Sequence, residues 1–316
     1  MKTNSLANKC YAILPALNEA TSIKSTIGSI IKIIPKSNVI VVDNGSTDET
    51  IRIVNSLGIT IYKEPKVGKG FAVRRGFNNI PKDAQAIFLV DADDTYSVDS
   101  LKMGIDLVIN QNVDMVVGTR ILSSNSTDNR KPVFKKGHSL GNLILSFLSN
   151  ALYPVGIEDA LSGWRIFSPA FIRSFPGGAT GFEIEAELNA HAYLLQVQVR
   201  NIPVEYQGRE FQSNSKLKTY SDGFKILRMN LRIFRNDRPQ LAFTLISAPW
   251  VLISFAFIGR AVNGYLETGL VPQFPSLIVG IGAFITFGLL WVTGMILQRI
   301  KLIRSNLAQF AYKGFK

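Results

Sequence analysis

The 316-residue chain holds 35 Lys+Arg against 23 Asp+Glu, a formal net charge of +12, and is 47% hydrophobic but only 18% charged. Soluble domains average about 25% charged residues, so part of this chain, whose mean hydropathy is +0.17, is not built for water. A single cysteine, Cys10, excludes an intrachain disulfide framework, and two histidines make a Cys/His zinc cluster untenable. Twenty Phe and the apolar share exclude a disordered chain. The basic excess suits nucleic acid, an anionic membrane surface or a phosphorylated substrate.

In chain order, Met1–Lys9 is polar and reads as no secretory signal. Residues 10–120 then alternate strand-like and helix-like segments, the pattern of an α/β domain with a mainly parallel sheet. Tyr11–Pro15 reads as the first strand, and Ile23, Ile27, Ile30, Ile31 and Ile34 follow helical spacing. Val39–Asp43 is a buried strand ending in an acid. Ser46 and Glu49 form a predicted capping box opening a helix with Ile51, Val54 and Leu57 on one face. Ile59–Tyr62 is a third strand, followed by a loop with Gly68, Lys69 and Gly70. Ala86–Val90 terminates in Asp91-Ala92-Asp93-Asp94, and Asp114–Gly118 closes the series. Ligands of open α/β sheets bind beyond the carboxyl ends of strands, which is where Asp43 and Asp91 fall.

The chain from Ile121 to Lys136 is polar and basic, and Leu140–Leu152 is apolar but too short to span a bilayer. Asp159 precedes Ser162-Gly163-Trp164-Arg165. Glu183, Glu185 and Glu187 open a long helix, and Val197–Val204 is the last short strand. From Arg200 to Arg238 basic residues outnumber acidic ones. There Leu227, Leu231 and Phe234 recur at helical spacing, which predicts an amphipathic helix over 221–240 lying on an anionic leaflet. Leu241–Ile258 and Pro275–Leu297 carry no charge. As helices they measure about 27 and 34 Å against a hydrocarbon core about 30 Å thick. Basic residues precede the first (Lys225 to Arg238) and follow the second (Arg299 to Lys316), so the positive-inside rule places both ends in the cytoplasm. The expected organisation is a cytoplasmic domain over 1–220, the amphipathic helix over 221–240, and a transmembrane hairpin over 241–316. Its spans fall near 241–259 and 275–297, and its basic tail is cytoplasmic. Nucleic-acid binding is the weakest reading, because the basic residues flank apolar spans without interleaved stacking aromatics.

The chemistry concentrates at Asp91-Ala92-Asp93. Two carboxylates two residues apart at a strand end make a hard oxygen site suited to Mg²⁺ or Mn²⁺, able to bridge a diphosphate; a solvated turn is the plain alternative. Asp43-Asn44-Gly45-Ser46-Thr47-Asp48 offers polar side chains to a base and ribose, or simply caps a turn. Neither GxxxxGK[ST] nor an early GxGxxG is present, which counts against a P-loop and a dinucleotide enzyme.

Ile13-Leu14-Pro15 with Asn18-Glu19, VVDNGSTDET and the DAD triplet resemble inverting family-two glycosyltransferases of the GT-A fold. Asp159 with SGWR, GFEIEAEL and the SKL at Ser215–Leu217 resemble, more specifically, polyprenyl-phosphate glycosyltransferases, of the dolichol-phosphate mannose synthase and undecaprenyl-phosphate glycosyltransferase type. The resemblance spans about residues 9–235. It implies a GT-A nucleotide-sugar domain with a terminal membrane hairpin, and transfer of a hexose from UDP-glucose or GDP-mannose to a polyprenyl phosphate. It further implies that Pro15, Asn18, Glu19, Asp43, Gly68, Lys69, Asp91 and Ala92 line the nucleotide sugar, with Asp91 and Asp93 on the metal. On the same resemblance, Asp93, Asp159 and Arg165 are expected to carry catalysis. Arg120, Arg130, Lys131, Glu183, Arg209 and Lys216 surround the sugar or the acceptor phosphate. Of the three glutamates the spacing admits only Glu183 to the site, and His138 and His191 read as structural. Asp159 is a base or an orienting residue, and with Arg165 it also reads as a plain ion pair. Two alternatives stay open: a protein or glycan acceptor, and a non-catalytic nucleotide-sugar-binding partner. A processive synthase is disfavoured, since QxxRW and further spans are missing. A monomer and a homo-oligomer are both compatible with the sequence.

Overall fold

The structure, a computed structural model, describes residues 6–122, 156–181, 183–207, 234–236 and 238–316. The chain divides into two compact units, Met1–Leu217 with Leu307–Lys316, and Lys218–Asn306.

The first unit is a seven-stranded sheet in the order β3-β2-β1-β4-β6-β5-β7. Its strands are β1 (Cys10–Ala16), β2 (Val39–Asp43), β3 (Thr60–Lys63), β4 (Ala86–Leu89), β5 (Met115–Leu122), β6 (Arg165–Phe167) and β7 (Val199–Tyr206). The helices between them are α1 (Ile23–Ile30), α2 (Thr50–Ser56), α3 (Lys69–Asn78), α4 (Leu101–Ile109), α5 (Pro169–Ser174) and α6 (Ile184–Leu195). The first four strands are parallel, β6 runs antiparallel to both neighbours, and β5 pairs parallel with β7. Every residue of β2, Val-Ile-Val-Val-Asp, is buried, as β-branched runs are in parallel sheets covered on both faces. In edge strand β3 the end residues are exposed and the two between them partly buried.

One core face packs Ile23, Ile27 and Ile30 of α1 with Leu101 and Ile105 of α4 against Leu14, Val41, Phe88 and Trp164. The other packs Val73 and Phe77 of α3 with Ile184 and Leu188 of α6 against Ile13, Val42, Ile87 and Phe167. The sheet order reverses between β1 and β4, so the crevice at their carboxyl ends is a topological switch point, where such sheets take ligands. The last strand lies at Val199–Tyr206, two residues beyond its expected position.

The expected capping box does not form. Ser46 Oγ accepts the amide of Asn18 at 3.0 Å, and Thr50 donates its amide to Asp48 at 3.0 Å, so α2 starts at Thr50. A long-range partner has taken the local capping group.

Leu307–Lys316, expected as part of the hairpin's basic cytoplasmic tail, belongs to this first unit. Ala308 and Tyr312 are buried in the second core face. Tyr312 donates its hydroxyl to Asp114 Oδ1 at 2.7 Å, Ser168 donates to the same oxygen at 2.9 Å, and Gln309 donates to the Leu194 carbonyl at 2.7 Å. Asp114 immediately precedes β5, so this contact lies at the end of the sheet opposite the carboxyl ends of β1, β2 and β4.

His191 is buried between the rings of Phe171 and Phe175, with Nε2 3.1 Å from Ser174 Oγ. Burial pulls its pKa from 6.5 down to about 4. The folded state keeps it neutral while the unfolded chain takes the proton, so its contribution is full above pH 6.5 and is lost as pH falls toward 4. That loss is roughly 3 kcal/mol. Denaturant titrations at stepped pH are expected to show this slope, and His191→Leu to flatten it.

In the second unit, α7 (Pro239–Thr268) and α8 (Phe274–Phe315, to Asn306 in this unit) are each long and apolar enough to cross a membrane. Both exceed their expected spans, and Pro249 lies within α7. Gly280 sits against Ile258 and Ser254, and Gly294 against Phe243 and Pro239. Such small residues let two helices approach closely in lipid. The most apolar window of each helix is only 17% buried, so most of its apolar surface is turned outward. The amphipathic helix expected over 221–240, and Leu140–Leu152 with His138, fall wholly or mainly outside the described residues.

Candidate active site

The carboxyl ends of β1, β2 and β4 converge through a set of side-chain ties. Asp43 is buried at the end of β2, its Oδ1 accepting the amide of Ser46 at 3.0 Å. Pro15 stands near the end of β1 opposite Val42. Asn18, at φ 58°, accepts the Thr47 amide at 2.8 Å, and Glu19 donates its amide to Thr50 Oγ1 at 2.9 Å. Asn44 donates to the carbonyls of Glu64 and Lys66 and accepts the Gly68 amide at 2.7 Å. These ties clamp the β1, β2 and glycine loops into one pocket wall.

Gly68 has φ 140°, and a Cβ there would run into the carbonyl of Thr180; one at Gly70 would meet the carbonyl of Ala179. The glycine loop thus lies backbone to backbone on residues 179–180. Two glutamates hold that support. Glu187 accepts the amides of Gly178 and Ala179 at 2.6 and 2.7 Å, and Glu183 accepts the amide and hydroxyl of Thr180 at 3.1 Å. Burial raises the pKa of Glu183, but its hydrogen bonds outweigh that and leave it low. Gly68→Ala is expected to cost about 2 kcal/mol through backbone strain, read as a lower thermal midpoint with weaker nucleotide binding.

The glutamate that reaches the pocket is Glu185. Its Oε1 lies 2.6 Å from Lys69 Nζ, which is also 2.5 Å from Asp91 Oδ1. The expected Glu183 is instead turned onto Thr180, because it sits at the helix start where loop amides claim its carboxylate. Burial of Lys69 disfavours its charge, yet Asp91 and Glu185 more than offset this and raise its pKa above the usual lysine range.

The segment after β4 is held from two sides. The hydroxyls of Ser22 and Thr26 lie 3.0 and 3.2 Å from the carbonyl of Ala92. Asp93 Oδ1 accepts the Thr95 hydroxyl at 2.6 Å, and Asp94 turns the chain at φ 57°. Gly163 packs so tightly on Asp91 that a Cβ would overlap its carboxylate, and its amide donates to Tyr96 Oη at 3.0 Å. Burial is the main cause raising the pKa of Tyr96 to about 12.

Two carboxylates two residues apart just beyond β4 suit Mg²⁺ or Mn²⁺, which are bound through one or two carboxylates with substrate phosphates and water completing the shell. Asp91 and Asp93 are the residues that would hold such an ion.

Asp159 pairs with Arg120 in a fork, Nε to Oδ2 at 2.6 Å and a terminal nitrogen to Oδ1 at 2.8 Å, with the guanidinium over the Tyr206 ring. Burial works against the charge of Arg120, but Asp159 foremost outweighs it and raises its pKa. Asp159 therefore pairs with Arg120 and not, as one reading had it, with Arg165. Arg165 is fully buried. It donates to the carbonyls of Ser162 and Ala160 at 2.9 and 2.8 Å and to Asn189 at 2.6 Å. Burial lowers its pKa, with Glu185 and Asp159 opposing. Where a group meeting substrate was expected, Arg165 is placed beneath the site and fixes the loop carrying Asp159 and Gly163. Arg130, Lys131, Arg209 and Lys216 lie outside the described residues. Glu185, which reaches the pocket, and the buried Asn189 and Tyr96, which hold Arg165 and Gly163, were not anticipated.

Residues 11–167 match the family model for glycosyl transferase family 2. A UDP-N-acetylglucosamine–dolichyl-phosphate N-acetylglucosaminyltransferase of Methanococcus voltae is 30% identical over 182 residues, covering 52% of this chain and 70% of that protein. A dolichyl-phosphate hexose transferase of Haloferax volcanii is 25% identical over 230 residues, covering 72% of this chain and 95% of that protein. Among solved structures, glucosyl-3-phosphoglycerate synthase of Mycobacterium tuberculosis, in complex with Mn²⁺, UDP and glucosyl-3-phosphoglycerate, superposes with a TM-score of 0.57 at 17% identity. That match covers 73% of this chain and 81% of the synthase, and is a likeness of fold. With the family model covering the strands from β1 to β6 and a 30% identical relative covered over 70% of its length, the chain belongs to glycosyl transferase family 2 and is a glycosyltransferase.

Proposed function

We propose that the protein transfers a hexose, with inversion, from a nucleotide diphosphate sugar to a polyprenyl phosphate at the cytoplasmic face of a membrane. The observation that carries this is the placement of Asp91 and Asp93 just beyond β4 at the switch point, with the Lys69 ammonium on the carboxylate of Asp91. The names of the two relatives support a lipid-phosphate acceptor, and the outward-facing apolar helices α7 and α8 support a membrane site. Basic residues on both sides of the spans favour a hairpin with both ends in the cytoplasm.

Asp43 and the loops tied by Asn18 and Thr47 hold the nucleoside, while Gly68 lets the backbone approach it closely. A divalent ion, Mg²⁺ or Mn²⁺, would supply neutralisation of the charge developing on the departing diphosphate. Asp91 and Asp93 would hold that ion, and the Lys69 ammonium, paired with Asp91, adds positive charge beside the diphosphate. A phosphate oxygen of the lipid attacks the anomeric carbon from the face opposite the diphosphate. The new C–O bond forms as the bond to the nucleoside diphosphate breaks, which inverts the centre. A phosphate monoester is already anionic at neutral pH, so the work lies in positioning and charge stabilisation. Both oxygens of Asp159 are engaged by Arg120, which favours the orienting role over a base.

The test uses detergent-purified full-length protein with Mn²⁺, radiolabelled UDP-glucose or GDP-mannose, and polyprenyl phosphate. Label is expected to enter the organic phase with one donor. Label passing only to a protein or glycan acceptor would overturn the reading.

A further inference from the structure

Lys69 is nearly enclosed, with its ammonium 2.5 Å from Asp91 and 2.6 Å from Glu185. Asp91 is the more open carboxylate, its side chain 27% exposed against 6% for Glu185. Asp91 is also one of the two carboxylates to which a divalent ion is assigned, so the ammonium and the metal ion compete for the same oxygens. A lysine ammonium is a compact charge on a flexible stem, and it can shift between two adjacent carboxylates. Releasing Asp91 with nothing else at hand would strand a buried cation, which is strongly unfavourable. Glu185 removes that obstacle.

We propose that Lys69 and Glu185 form a cation-exchange latch on Asp91. In the metal-free protein the Lys69 ammonium neutralises Asp91. When a divalent ion arrives, Lys69 gives up Asp91 and stays on Glu185, still beside the diphosphate. Glu185 is then a positioning residue that acts through Lys69 and sets how readily Asp91 accepts the ion. The pocket wall suits this use. The Gly68–Gly70 backbone rests on residues 179–180, which Glu183 and Glu187 fix, so the stem of Lys69 moves while its anchor does not. The inference rests on the reading that Asp91 and Asp93 take a divalent ion.

The experiment is a titration of detergent-purified full-length protein with Mn²⁺ alone, free Mn²⁺ being followed by electron paramagnetic resonance. Lys69→Met is expected to tighten Mn²⁺ binding about 10-fold, and Glu185→Gln to weaken it about 10-fold, within the range of coupled neighbouring residues. The deciding arm is the double variant. A latch makes the effect of Glu185→Gln shrink to about 2-fold or less once Lys69→Met is present, whereas mere proximity of charges gives additive changes. Additive changes, or unchanged binding in the single variants, would overturn the latch while leaving the metal reading intact. Mn²⁺ binding absent from every variant, or unaffected by Asp91→Asn and Asp93→Asn, would overturn the metal reading and the latch with it. If Lys69→Met fails to fold, Lys69→Gln keeps a donor between the two carboxylates and carries the same expectations.

Discussion

Replacing Asp93 with asparagine is expected to lower sugar transfer about 1000-fold, in the range seen when a group aimed at developing transition-state charge is removed, with an almost unchanged thermal midpoint. The two halves of this expectation have separate causes. The carboxylate charge is what a divalent ion requires, and the amide has none. The loop, however, depends on Asp93 Oδ1 as an acceptor for Thr95, and an asparagine oxygen still accepts. The ties from Ser22 and Thr26 to Ala92 are untouched. Parallel measurements of turnover and melting separate the two. Transfer within a few-fold of the native rate would remove Asp93 from the ion's shell.

The second large effect is on stability and lies at the far end of the sheet. Tyr312→Phe takes a donor from the buried carboxylate of Asp114, leaving Ser168 on the same oxygen. A hydrogen bond to a charged group contributes about 2 kcal/mol, a fall in melting temperature of about 6 °C for a unit of this size. Deleting Leu307–Lys316 also exposes the surface covered by Ala308 and Tyr312, and is expected to cost about 5 kcal/mol, a large part of a typical domain's stability. Melting of the full-length and shortened proteins in the same detergent checks this. An unchanged midpoint after the deletion would show that the segment is not part of the catalytic unit. The same result bears on truncations meant to remove the hairpin: those ending before Leu307 remove part of the catalytic fold as well.

The parallel half of the fold was legible from runs of β-branched residues, because strands buried on both faces tolerate little else. The placement of Asp43, Asp91 and Asp93 was legible for a related reason: each stands at or just beyond the carboxyl end of an apolar run, where open α/β sheets take ligands. The buried polar ties were harder to read. Glu185 and Asn189 are spaced i, i+4 on the face of α6 that also buries Leu188 and Ala192, so a carboxylate and an amide stand on an otherwise apolar stripe. That pattern was visible, but the three alternating glutamates masked it, and helix-start spacing favoured Glu183. The partner exchange at Asp159 was not legible, since Arg120 lies 39 residues away and Arg165 only six. The burial of Arg165 depends on carbonyls of a loop whose path no local pattern specifies. Likewise Tyr312 reads locally as a residue in a basic tail. Only its long-range partner Asp114, 198 residues earlier, makes it core.

The central claim is that this site transfers a sugar onto a lipid phosphate by a single inverting displacement. The most direct measurement is product analysis: incubation with an α-linked nucleotide sugar and polyprenyl phosphate, organic extraction, and nuclear magnetic resonance of the glycolipid at phosphorus and at the anomeric proton. The account predicts a sugar joined to the polyprenol through one phosphodiester, with the anomeric centre inverted to β. A retained α linkage, or a sugar found only on a non-lipid acceptor, would contradict it.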